Sequence, residues 1–433
     1  MTDIILGLGC GNVHSARANK EGIRTCLSET DRAYAYIESL QAAALESSDA
    51  TRLLSSATPE FLSAQLEDFA QRNYSGSQRE KFKQATAAEF RKLLHADCTT
   101  KYEDIFMYSL LLGLFQRIKR SADLIEAADV TYPATKAPIT RPALGTIPLR
   151  ELNAKLVTVP GSDRKILLVN SRMFEVSYIM SAVAAKLVSI TDSEDGMVID
   201  YNRTTILRNA AYGTDAAHVF VRAMSNLAGI PHNQMPGIVR NELALRGTLS
   251  NAMELFIVGH EYAHLILDHA DANRDREAYD SADEMIADML GLQLMLHAVG
   301  VIAPNGSLIE AMQPEAQIAM WGADFALTCM ELNTKLMSLV RDNEWKSWPS
   351  IEELLAPRHA DPSMRRMLLR LSIDYFLKGT NSMETRKMVY SLGDALRLGV
   401  FTLWENEHIH IQKLYDEHHK TLVHDNDAVP FNE

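Results

Sequence analysis

The sequence predicts a mainly α-helical protein with a small β element, an α+β class. Three observations carry that expectation. Apolar residues recur at helical spacing over most of the 433-residue chain. Two neighbouring short runs, residues 154–159 and 165–170, read as strands from their branched-residue content. These two flank Pro160-Gly161-Ser162-Asp163, a turn composition that makes them a hairpin. With 47% hydrophobic residues the chain can also bury a sizeable core, which argues against wholesale disorder.

At the N-terminus a short apolar run precedes Gly7, Gly9 and Gly11. It reads as a strand and turn, because the full glycine spacing and the lysine of a phosphate-binding loop are missing. Helices are expected over residues 34–45, 59–73, 78–95 and 105–128, with polar breaks between them. Thr58-Pro59-Glu60 starts the second of these, since proline has no N–H to forfeit at the first helical position. Pro133, Pro138, Pro142 and Pro148 make residues 132–148 a linker or boundary. The hairpin comes next, and an edge strand there would offer unpaired N–H and C=O groups to an extended peptide. Helices resume over 174–188, 215–227, 248–267, 281–299, 314–339 and 362–377, and a largely helical tail runs over 383–424. Met320, Trp321, Phe325, Leu327, Met330 and Leu336 make 314–339 a core helix. Three regions result: 1–140, mainly helical; 141–380, the hairpin with the helices after it; and 381–433, a C-terminal helical extension.

A net charge of −13 argues against nucleic acid or an anionic membrane surface as partner. Cys10, Cys26, Cys98 and Cys329 are scattered and form no Cys-x-x-Cys pair, which fits a reducing compartment. The first residues carry no basic stretch ahead of an apolar one, and the apolar runs at 105–115 and 178–188 are too short to span a bilayer. A cytoplasmic protein with no membrane span is expected.

The chemistry is concentrated in His260-Glu261-Tyr262-Ala263-His264. Histidines four apart on a helix project from one face. Zinc takes imidazole nitrogen readily, and a catalytic site holds it with three protein ligands and a water. A glutamate beside the first histidine can take a proton from that water. Chance alone would produce such a five-residue pattern in roughly a few per cent of chains, so its surroundings matter. Met253, Phe256, Ile257 and Leu265-Ile266-Leu267 make the helix a mostly buried one. Downstream, Glu284 and Asp288 are again four apart, among Met285, Ile286, Met289 and Leu290. Glu284 could complete the ligand set, and Asp288 could accept the free ring N–H of a ligating histidine. Residues 268–280 are polar and would join the two helices.

His260-Glu261-x-x-His264 followed by Glu284-x-x-Ala287-Asp288 resembles the gluzincin signature, as found in HtpX-like and prenyl-protein endopeptidase-like metallopeptidases. The resemblance covers residues 250–295. It implies a zincin-like metallopeptidase domain within 141–380, zinc on His260, His264 and Glu284, and Glu261 as general base. A second, weaker likeness lies in Arg358-His359-Ala360-Asp361-Pro362 through Arg366. It resembles the His-Pro segment with a following arginine, although Asp361 stands where the histidine would be. His359, Arg365 or Arg366 could then stabilise an oxyanion; alternatively, Asp361 and Pro362 simply open a helix. A metzincin would need glycine at 267 and histidine at 270, where this chain has Leu267 and Ala270.

The expected function is zinc-dependent peptide-bond hydrolysis on a protein or peptide substrate, with Glu261 and either His359 or Arg366 as catalytic groups. Two alternatives stand beside it: a catalytically silent fold that binds a partner, and a non-peptidase zinc amidohydrolase. The tail residues His408, His410, His418, His419 and His424 do not share a helical face and read as a solvated helix.

Overall fold

The computed structural model describes residues 29–46, 76–77, 79–81, 83–84, 100, 102–127, 141–148, 154–193, 196–200, 202–228, 230, 240–267, 281–302, 314–341, 362–377 and 383–427. The protein is mainly α with a small β element. In chain order the elements are α1 (Glu29–Glu46), α2 (Ile105–Ala127), β1 (Ala143–Ile147), β2 (Ala154–Thr158), β3 (Lys165–Asn170), α3 (Ser171–Leu187), β4 (Ser189–Ser193), β5 (Gly196–Asp200), α4 (Arg203–Tyr212), α5 (Thr214–Leu227), α6 (Arg240–Ile266), α7 (Ser281–Ala298), α8 (Pro314–Arg341), α9 (Pro362–Leu377) and α10 (Met383–Asp427). The Gly7–Gly11 turn and the helix expected at 59–73 lie outside the described residues, as does most of 78–95.

The hairpin forms as its turn chemistry requires. Val159 N–H donates to Arg164 O and Ser162 N–H to Val159 O, and Gly161 takes a φ of +70°. β1 joins it to give a three-stranded sheet in the order β1-β3-β2, so β2 is an edge strand. β4 and β5 form a separate antiparallel pair, with Ser189 opposite Asp200. One of these strands corrects the linker reading. All five residues of β1 are buried, so Pro142 and Pro148 bound a short strand instead of marking a linker.

The chain splits into two compact units, one of Met1–Gly113, Thr140–Ile147 and Val157–Leu168, the other of Leu114–Ile139, Pro148–Leu156 and Val169–Glu433. The first unit has a core of Ala33, Ile37, Ala143, Val159, Ile166 and Leu168. Beside it lies a buried polar knot. Gln41 donates to Glu103 and to Thr146 O, while Thr146 N–H and its hydroxyl donate back to Glu103. Burial raises the Glu103 carboxyl to a pKa of about 7, against the opposing effect of those hydrogen bonds.

The second unit is built on α6, which packs against α3, α7 and α8. Leu245, Leu249, Ala252, Met253, Leu255, Phe256, Val258 and Ala263 are all almost wholly buried, which is the signature of a helix enclosed on most sides. Asn170 caps α3 and Asn202 caps α4, each accepting from the backbone N–H two residues on. α9 packs against α7 and α8, and α10 against α4, α5 and α8, all within this unit. Among the described residues no helix is long and apolar enough to cross a membrane.

Candidate metal centre

α6 carries His260, Glu261 and His264 in its last two turns, and α7 carries Glu284 and Asp288 in its first two. What brings them together is a close crossing of the two helices at glycine. A Cβ on Gly291 would lie 2.8 Å from the His260 backbone nitrogen and 2.9 Å from its Cα. A Cβ on Gly259 would lie 3.1 Å from the Gly291 carbonyl oxygen. Two glycines facing each other therefore let the backbones approach closely enough for short side chains to converge.

They converge on one point. The Nε2 atoms of His260 and His264 are 3.1 Å apart. Glu284 reaches both, Oε2 at 3.4 Å from His260 Nε2 and Oε1 at 3.2 Å from His264 Nε2. These three buried residues could hold a metal ion. Asp288 sits behind them with Oδ1 2.8 Å from His260 Nδ1, so Nδ1–H donates there and Nε2 is left as the ligand atom.

Arg365, from α9, closes the back of the site. Its Nε donates to Asp288 Oδ2 at 2.9 Å and its Nη2 to Oδ1 at 2.6 Å, a bidentate pair. Nη2 also lies 3.2 Å from His260 Nδ1. With Nδ1–H already directed at Asp288, this is an approach of two donors and not a hydrogen bond. Glu261 is buried next to the ligands, and Leu156 N–H from β2 donates to its Oε2 at 2.8 Å. Because β2 is an edge strand, that N–H is available to point out of the sheet.

The charges are mutually supporting. Burial alone would raise the Asp288 pKa, but the Arg365 charge and hydrogen bonds outweigh it, helped by His260, and hold it down at about 2. Burial and Arg365 both pull the His260 pKa down, yet Asp288 and Glu284 overcome them and raise it to about 9. Burial lowers the His264 pKa, favouring the neutral imidazole that a metal needs. Arg365 is held charged, since Asp288, Glu284 and Glu261 more than offset its burial.

The positions read from sequence are thus distributed as follows. His260, His264, Glu284, Glu261 and Asp288 are brought together. Arg366 is not among them: its guanidinium turns to Asp324, with Nε 2.7 Å from Oδ1, and to Asp394 at 3.4 Å. The reason is helical geometry, because adjacent residues point about 100° apart. Arg365 takes the place at the metal centre instead. His359 lies outside the described residues. Tyr262 packs edge-on against Phe115 with ring centroids 5.5 Å apart, a core contact. On α10, His408 stacks on Trp404. Sequence reading passed over Gly259, Gly291 and the Leu156 N–H. Glycine inside two apolar helices was the available signal for the first two; a backbone N–H leaves no side-chain signal at all. No family model, curated protein or solved structure matches this chain.

Proposed function

We propose that the protein is a zinc-dependent peptidase, with zinc on His260, His264 and Glu284 and Glu261 as general base. The observation that carries this reading is the convergence of the three donor atoms beside a buried glutamate. Tetrahedral zinc with bonds of about 2.0–2.1 Å sets its donors about 3.3 Å apart; the two Nε2 atoms are 3.1 Å apart, and Glu284 presents one carboxylate oxygen 3.2 Å from His264 Nε2 and the other 3.4 Å from His260 Nε2. Glu261, Glu284 and Asp288 are all buried here, and a bound dication would stabilise their ionised forms. Two imidazoles and one carboxylate are also a donor set that zinc favours.

Zinc bound there would make a water molecule acidic enough to attack at neutral pH and would polarise the peptide carbonyl. Glu261 accepts the proton from the attacking water and passes it to the leaving amine. The Leu156 N–H holds one oxygen of that carboxylate, which limits its freedom to swing away from the ligands. Asp288 fixes the His260 ring with Nε2 forward, and Arg365 fixes Asp288. A peptide pairing with the outer edge of β2 alongside the Leu156 N–H that Glu261 occupies would be delivered beside the base, which favours an extended peptide as substrate.

The test is a comparison of protein termini in cells expressing wild type and Glu261→Gln. New termini confined to wild type are expected, with zinc retained in both proteins. Termini shared equally by the two would refute the base role. Release of formate from formyl-peptides, with internal bonds intact, would reassign the site to another amide hydrolysis.

A further inference from the structure

The arginine that turns away from the metal centre is tied to the one that reaches it. Arg366 and Arg370, one turn apart on α9, both grip Asp324 of α8. Arg366 Nε lies 2.7 Å from Asp324 Oδ1 and its Nη2 donates to Oδ2 at 3.1 Å. Arg370 Nε donates to Oδ1 at 3.3 Å, and its Nη2 lies 2.8 Å from Asp394 of α10. Asp324 is 5% exposed. α10 comes close here: a Cβ on Gly393 would lie 2.7 Å from Asp324 Oδ2, so the carboxylate would have to shift. On the neighbouring face of α9, Arg365 makes its bidentate pair with Asp288.

Adjacent positions on one helix are rigidly linked, about 100° apart in rotation and 1.5 Å in rise. Turning α9 far enough to draw Arg365 off Asp288 would pull Arg366 and Arg370 off Asp324. We infer that Asp324 is a positioning residue for the metal centre: it sets the rotation of α9, and so the reach of Arg365 to Asp288 and the orientation of His260. This rests on the metal reading above. It does not follow from ion pairing alone. Arg397 and Glu331 also pair across α8 and α10, with Arg397 Nη2 3.2 Å from Glu331 Oε1, and among the described residues that pair does not include a residue of α9. Asp324 differs in acting on the helix that carries Arg365.

The experiment is zinc affinity of the full chain, measured by competition with a chromophoric chelator, alongside melting of the zinc-free protein. Asp324→Asn is expected to weaken zinc binding about tenfold, at the low end for groups that orient metal ligands from behind. Combined with Arg365→Met, it should add almost nothing to the loss from Arg365→Met alone, because both act through one contact. Glu331→Gln is expected to lower the melting temperature while leaving zinc affinity unchanged. Should Asp324→Asn fail to fold, Arg366→Lys keeps the charge, loses the two-pronged grip and should weaken zinc several-fold. Zinc affinity within twofold of wild type in Asp324→Asn, or in Arg366→Lys where it substitutes, would overturn the inference, as would additive losses in the double variant. A wild type that takes up no zinc would overturn the metal reading itself.

Discussion

At the scale of single residues, Asp288 decides whether His260 can serve as a ligand. Its carboxylate accepts a hydrogen bond from Nδ1–H, selects the tautomer and carries the Arg365 pair. Asp288→Asn is expected to lower zinc affinity by about 10–100-fold, the range for a lost carboxylate behind a ligating histidine. Chelator competition measures it, and an unchanged affinity would remove Asp288 from the site. The His260 pKa of about 9 also gives zinc binding a pH dependence of known sign. Metal must displace that proton, so below about pH 9 affinity falls as the pH falls. Titrating zinc binding between pH 6 and 9 checks this, and a flat profile would contradict it. Most of this was legible in sequence, since four-residue spacing alone puts His260 with His264 and Glu284 with Asp288. The choice between Arg365 and Arg366 was not. It depends on how α9 is rotated against its neighbours, which no local pattern encodes.

At the scale of elements, the crossing of α6 and α7 sets the site geometry. Alanine at Gly291 would place a methyl group 2.8–2.9 Å from the His260 backbone, where nothing flexible can yield. Gly291→Ala should therefore push the helices apart. The expected cost is about 1–3 kcal/mol of stability, together with weaker zinc binding; thermal melting and chelator competition read the two effects. Wild-type values in both would show that the helices do not need this close approach. Helix ends were harder to read than helix cores. α6 begins at Arg240, two turns before the expected start at 248, because burial of Leu245 and Arg246 overrides the low helix propensity of Gly247. α4 escaped notice because only Ile206 and Ala210 of its ten residues are buried, too few to make a periodic stripe. β1 escaped because flanking prolines masked five residues that are all buried in the fold.

At the scale of the whole molecule, another carboxylate, enclosed on α6, leaves its mark on stability. Glu254 lies on α6, accepts from Ser250 Oγ, and has its pKa raised by burial to about 8. In the unfolded chain the same group ionises near pH 4.3, roughly the free glutamate value. Between these values the folded protein holds a proton that the unfolded chain has released, so this group's contribution to stability declines as pH rises. Glu254→Gln removes the titration. Its melting temperature should therefore gain on wild type steadily from pH 5 to pH 8, and a constant difference would contradict the assignment. The fold class was legible because helical periodicity covers most of the chain. The division into units was not, because each unit combines segments far apart in sequence.

The central claim, that His260, His264 and Glu284 together hold one zinc ion, is tested most directly by the metal content of purified protein. Wild type and Glu261→Gln should each carry about one zinc per chain, while His264→Ala, remaining folded, should lose it. Full zinc in folded His264→Ala, or none in wild type, would contradict the claim.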